Sequence, residues 1–219
     1  MKSVYIHIPF CDKICSYCDF CKVYYNSDLV REYLYSLSNE ISSLYDGDII
    51  ETIYIGGGTP SVLSHGELNI LFSIISKFNL ASDYEFTFEC NIESIDNDKL
   101  LFLFNHGVNR LSIGVQTFND KFLKFLNRSH TSLDVINKIN MAKKVGFSNI
   151  NVDLMYAFPN ESLSDVCFDI DCVLKLGVSH ISTYSLMIEP HTKLYIDNVA
   201  NISSDIDRDM YGFTTFFIK

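Results

Sequence analysis

The 219-residue chain has no run of lysines or arginines, and its formal net charge is −10. Both facts argue against nucleic acid and anionic membrane surfaces, because neither attracts an acidic protein. No apolar stretch approaches the roughly 18 to 20 residues that a membrane span needs. The opening "MKSVYIHIPF" alternates and contains Pro9; it lacks the apolar core and small-residue cleavage site of a secretory signal. The expectation is a cytoplasmic protein whose thiols stay reduced. Low-complexity linkers and internal repeats are also missing, and nothing marks a domain boundary inside 1–190. Disorder is excluded by composition: 47% of residues are hydrophobic, with 17 Phe and 13 Tyr to fill a core.

Cysteine is scarce too, at seven residues, yet four of them fall within twelve positions, "CDKICSYCDFCK". A structural zinc site pairs two short knuckles separated by a dozen or more residues, and no second knuckle or histidine pair exists here. Iron–sulfur clusters use compact runs of thiolates, since one loop wraps one inorganic core. Cys11, Cys15 and Cys18 can take three corners of such a cube and leave the fourth iron open. Cys21 stays open between fourth ligand, spare thiol and core residue. Cys90, Cys167 and Cys172 read as packing thiols.

Short β-branched or aromatic runs at 3–8, 50–55, 84–89, 109–115, 149–154 and 179–187 alternate with stretches of helical periodicity. Residues 28–46 carry one apolar stripe through Leu29, Val30, Tyr33, Leu34, Leu37, Ile41 and Leu44. Ser64 with Glu67 predicts a capping box, and Ser162 with Asp165 a weaker one. Gly47, Gly107, Gly146 and Gly177 stand where helices should stop. Such alternation means a parallel sheet with helical crossovers, either open and doubly wound or partly closed as a barrel.

Ligands of parallel α/β folds sit at the carboxyl ends of the strands. Here those ends deliver the cysteine loop, "GGGTP" (56–60), Glu89 with "CNIES", Gln116, Asp153 and the segment from Leu186 to Glu189. The glycines permit close backbone approach to a ligand, though the loop lacks the lysine of a phosphate loop. Glu89 and Asp153 also fit helix-cap acids, and Arg128 a surface charge. His7 reads as a core residue on a strand, while His130 stays open between functional and structural roles.

In this order, "YIHIPFCDKICSYCDF", "IGGGTPS", "FECNIES", "RLSIGVQTF", "NRSHT", "DLMYAFP" and "TYSLMIEPHT" resemble the radical S-adenosylmethionine (SAM) superfamily. Within it, they resemble the branch of anaerobic coproporphyrinogen III oxidase and its haem-chaperone relatives. The matching segments span about residues 5 to 192. The resemblance implies a partial (β/α)6 barrel with parallel strands and outer helices, holding a four-iron four-sulfur cluster on Cys11, Cys15 and Cys18. It implies SAM on the open iron, contacted by Tyr5, Gly57, Gly58, Thr59, Glu89, Gln116, Arg128 and Asp153. An electron from the cluster would split SAM into methionine and a 5′-deoxyadenosyl radical. The implied partners are haem or a porphyrin, a reductant such as a flavodoxin or ferredoxin, and a haem-accepting protein. Any membrane contact would come through that recipient.

"YCDF" and "RSHT" resemble the chaperone side of the branch more than the oxidase side. Ile92 stands where the family has proline, and Ala157 and His191 stand where it has glycine. The expected division is a core domain over 1–195, with 196–219 as the remnant of a connection to a further domain. On that expectation the gene product is shortened. Three readings follow: a haem chaperone, an oxygen-independent coproporphyrinogen oxidase, or an inactive shortened product.

Overall fold

The computed structural model describes residues 2–217, the side chains of 216 and 217 excepted. In chain order it holds β1 (Ser3–Ile8), β2 (Phe10–Cys11), β3 (Val23–Tyr24), α1 (Ser27–Leu44), β4 (Ile49–Gly57), α2 (His65–Ile75), β5 (Asn79–Asn91) and α3 (Asn97–Asn105). There follow β6 (Arg110–Gln116), α4 (Asp120–Phe125), α5 (Ser132–Val145), β7 (Asn149–Tyr156), α6 (Leu163–Leu176), β8 (His180–Ser185), α7 (Lys193–Ile196) and α8 (Ser204–Phe217). One sheet runs in the order β1-β4-β5-β6-β7-β8, every neighbouring pair parallel. Five helical crossovers join the six strands of this sheet, and α7 and α8 follow β8, which makes six β/α units. β1 and β8 are sheet edges, so the barrel is partial and open along one side.

The two faces of this sheet differ in chemistry. Toward the helices, alternate residues such as Ile53, Ile55, Phe86, Phe88, Leu111, Ile113, Ile150 and Val152 enter one apolar core with Leu34, Leu68, Leu71 and Ile139. Full burial of each such side chain contributes about 1.5–3 kcal/mol. On the other face the residues are polar and bonded across strands. Tyr54 donates to Glu89 (2.6 Å), Ser112 to Asp153 (3.3 Å), Asn151 to Ser112 (2.9 Å) and Ser182 to Asn151 (3.0 Å). The concave side is therefore a polar cradle, unlike the apolar interior of a closed eight-strand barrel.

Helix starts follow the capping chemistry. The Ser64–Glu67 box is complete, the Ser162–Asp165 box is equally complete, and Thr131–Asp134 adds a third. The third predicted strand is longer than its apolar run. Asn79 and Leu80 pair with Ile49 and Ile50, a bulge interrupts the ladder, and pairing resumes at Thr52 and Glu85. The last predicted strand is shorter. Leu186 donates its N–H to the Tyr156 carbonyl (2.8 Å), and the chain then turns away from the sheet. α8 packs on α6, with Met210 buried beside Val166 and Ile170, and Asp207 accepts from Ser185 (2.6 Å). No helix among the described residues is long and apolar enough to cross a membrane.

Candidate cofactor site

Beyond β1 the chain passes Pro9, enters β2 and returns at β3, so residues 12–22 form a loop whose two ends are pinned. Val23 N–H donates to the Pro9 carbonyl (2.7 Å) and Tyr25 N–H to the Cys11 carbonyl (2.9 Å). His7 ties the loop to the strand. Its Nε2 lies 2.8 Å from the Cys21 carbonyl and its Nδ1 2.9 Å from the Tyr5 hydroxyl. A neutral imidazole satisfies both contacts by accepting from Tyr5 and donating to Cys21. This corrects the expectation of a core His7: it is half-buried and serves as a strut.

The glycine-rich end of β4 is pressed against the same loop. Gly58 N–H donates to the Ile8 carbonyl and Thr59 N–H to the Phe10 carbonyl, both at 2.8 Å. A Cβ at Gly58 would lie 2.9 Å from Phe10 O and 3.0 Å from Cys11 Sγ. Gly57 has φ +116° and donates its N–H to Glu89 Oε2 (3.0 Å). The Thr59 hydroxyl donates to Cys11 Sγ (3.4 Å) and accepts from Asn91 Nδ2 (3.0 Å).

On the far side stands Arg128. Its Nη1 lies 3.6 Å from Cys15 Sγ and 3.4 Å from Asn91 Oδ1. Its Nη2 donates to Gly114 O (2.9 Å), Glu93 Oε2 (3.0 Å) and Asn91 Oδ1 (3.3 Å). Asn91 thus joins the Cys11 side, through Thr59, to the Cys15 side, through Arg128. The alternative reading of Arg128 as a surface charge is overturned, since its side chain is 3% exposed. Gln116 ends β6 at φ +73°, in the left-handed region, where the ladder shifts register. A non-glycine residue there costs on the order of 1–3 kcal/mol.

Burial raises the Cys11 and Cys18 thiols above their ordinary value. The Thr59 hydrogen bond and the Lys22 charge oppose the rise at Cys11, while the neighbouring cysteines add to it. Bare thiolates are therefore disfavoured, and a cationic metal centre would relieve both burial and repulsion. Among the described residues no three His, Cys, Asp or Glu side chains converge where a single ion could sit. Cys11 feels the charges of Cys15 and Cys18, and Cys18 that of Cys15, which fits thiolates drawn to one shared cationic group. The donor set fits as well: Arg128 Nε is buried with no hydrogen-bond partner, a spare cationic N–H beside the thiols. Burial also lifts Glu89 and Asp153, and the Asp153 charge adds to the rise at Glu89. Such a pair suits a ligand rich in N–H and O–H donors.

The structure brings Cys11, Cys15, Cys18, Gly57, Gly58, Thr59, Glu89 and Arg128 to one rim. Tyr5, exposed on the edge strand β1, and Asp153, on β7, stand on the same polar face, each within electrostatic reach of Glu89. Cys21 is exposed, with its carbonyl on His7. Cys90 is buried in the core and Cys172 packs against it, while Cys167 is half-buried. Sequence reasoning missed Tyr17, Tyr54, Asn91 and Glu93. The alternation of β5 could have found Asn91, because 89 and 91 share a face. Tyr17 lies against Cys15 and Arg128 in a buried setting that raises its hydroxyl far above the ordinary value. It lies inside the "YCDF" segment, where the cysteine beside it drew the assignment.

A match to the radical SAM superfamily extends over residues 5–172, and the chain belongs to that superfamily. Membership implies a four-iron four-sulfur cluster and SAM as cofactors. Among curated proteins, it is 40% identical over 217 residues to the heme chaperone HemW of Lactococcus lactis, covering 97% of this chain and 57% of that protein. It is 43% identical over 201 residues to the heme chaperone HemW of Bacillus subtilis, covering 89% and 53%. Among solved structures, the radical SAM enzyme coproporphyrinogen III oxidase (HemN) of Escherichia coli matches with a TM-score of 0.89 at 27% identity. That match covers 99% of this chain and 51% of the oxidase. The chain therefore spans about half the length of the relatives it matches.

Proposed function

We propose that the chain is the cofactor-binding core of a haem chaperone. Cys11, Cys15 and Cys18 would hold the four-iron cluster, with SAM at the open iron. Bound there, the pair supplies an electron and a cleavable sulfonium. The chain's own residues bind and orient. Gly57 and Gly58 bring backbone close to the loop, and Thr59 and Arg128 flank the thiols. Gln116 closes the end of β6 beside them. Glu89 and Asp153 offer acceptors to the cofactor's ammonium and hydroxyl groups, and Tyr5 an aromatic face beside them. The resident partners are haem as cargo, a small reductant such as a flavodoxin or ferredoxin, and a haem-accepting protein, all in the cytoplasm.

The observation that carries this reading is the 40% and 43% identity to heme chaperones across nearly the whole chain. The fold match to coproporphyrinogen III oxidase favours a second reading, oxidative decarboxylation of a porphyrinogen. Anaerobic reconstitution with iron and sulfide, followed by assays of haem binding, methionine release and porphyrinogen turnover, separates the two. Haem binding without turnover supports the chaperone, and turnover supports the oxidase. A cluster that binds neither haem nor porphyrinogen leaves the inactive product.

A further inference from the structure

Behind Arg128 stand two groups that no cofactor contact explains. Glu93 bridges two cations or potential cations: its Oε2 accepts from Arg128 Nη2 at 3.0 Å, and its Oε1 lies 3.0 Å from His130 Nδ1. The His130 side chain is 1% exposed. The Nδ1 contact lies off the hydrogen-bonding line, so neither imidazole nitrogen has a hydrogen-bond partner. The Ser129 N–H donates to the same Glu93 oxygen at 3.3 Å. Glu93 thus grips residues 128–130 from across the sheet end. An isolated buried guanidinium is costly, and a bidentate fork needs its plane fixed before it can select a carboxylate.

We propose that Glu93 and His130 are positioning residues for Arg128. They would fix the guanidinium beside Cys15 with its Nη2 occupied, in the orientation from which Arg128 would meet the carboxylate of SAM. His130, buried 3.0 Å behind the Glu93 Oε1, limits the room that carboxylate has to move. Burial alone would raise Glu93, but the adjacent His130 and Arg128 outweigh it and bring the carboxyl down to about 2. This inference rests on the proposed cofactor reading and assigns roles to residues outside its contact set.

The test is a double-mutant cycle on the anaerobically reconstituted full chain, read by the dissociation constant for SAM and by EPR of the reduced cluster with and without SAM. Glu93→Gln keeps the shape and should load the cluster yet bind SAM about tenfold more weakly, with a smaller SAM-induced change in the spectrum. In an Arg128→Lys background the same substitution should add less than a twofold loss. His130→Gln, which leaves the ion pair in place, should give a weaker version of the same pattern and serves if Glu93→Gln does not fold. Losses that multiply in the Arg128→Lys background, or unchanged SAM binding in both single variants, overturn the positioning role. If the unaltered chain takes up no cluster or no SAM, the cofactor reading itself fails.

Discussion

A methyl group at Gly58 has nowhere to go. It would meet Phe10 O at 2.9 Å and Cys11 Sγ at 3.0 Å, and the first of these is backbone. Gly58→Ala should therefore displace the cysteine loop while leaving the sheet folded. The expected outcome is a native far-UV circular dichroism spectrum with cluster loading cut by more than half, measured as iron per chain. The reverse substitution applies at two other positions. Ala157 and His191, the residues that replace the family's glycines, have φ +72° and +71°. A side chain in the left-handed region costs on the order of 1 kcal/mol. Ala157→Gly and His191→Gly should each raise the stability to urea by about that amount, and a lower midpoint in either would contradict the strain. Ile92, the third departure, is fully buried and fills core space instead.

At the scale of elements, two acids are buried around the start of α6, Glu161 in the loop after β7 and Asp169 within the helix. Burial pushes Glu161 up to about 8 and Asp169 up to about 6. Glu161 Oε2 accepts from the Phe158 N–H at 3.1 Å, while its Oε1 has no partner. An acid raised in the folded state contributes stability while protonated and loses it as pH climbs through its folded value. Stability should accordingly fall between about pH 5 and 8, by on the order of 1 kcal/mol per pH unit at its steepest. Glu161→Gln should flatten that fall in urea titrations at pH 6 and pH 8, and an unchanged slope would assign it elsewhere.

Much of this architecture was legible in the sequence. The six apolar runs map onto the six strands because each strand's helix-facing residues enter one continuous core. The capping boxes at Ser64 and Ser162 were read from spacing alone. What was not legible came from three-dimensional closure. The start of β5 at Asn79 depends on pairing with Ile49, and the strut role of His7 depends on a carbonyl fourteen residues away. Asn91 and Glu93 lay inside a recognised segment, yet their partners Thr59, Arg128, Ser129 and His130 come from elements distant in the chain.

For the whole molecule, the polar concave face and open edge leave aromatic and apolar side chains uncovered around the rim. Phe20 is 67% exposed and Met187 66% exposed. Both sit in strand-end segments, and exposed apolar side chains promote association where they meet a second copy. Sedimentation at rising concentration should show self-association that Phe20→Ser weakens; a sharp, concentration-independent monomer would contradict this.

The central claim is that three thiols of one loop hold a cluster with one open iron, and it is tested most directly by anaerobic reconstitution of the unaltered chain beside Cys15→Ala. The unaltered chain should take up about four irons and four sulfides and change its spectrum when SAM is added. Cys15→Ala should lose the colour. A full cluster retained in Cys15→Ala, or a single tightly held zinc in the unaltered chain, would contradict the account.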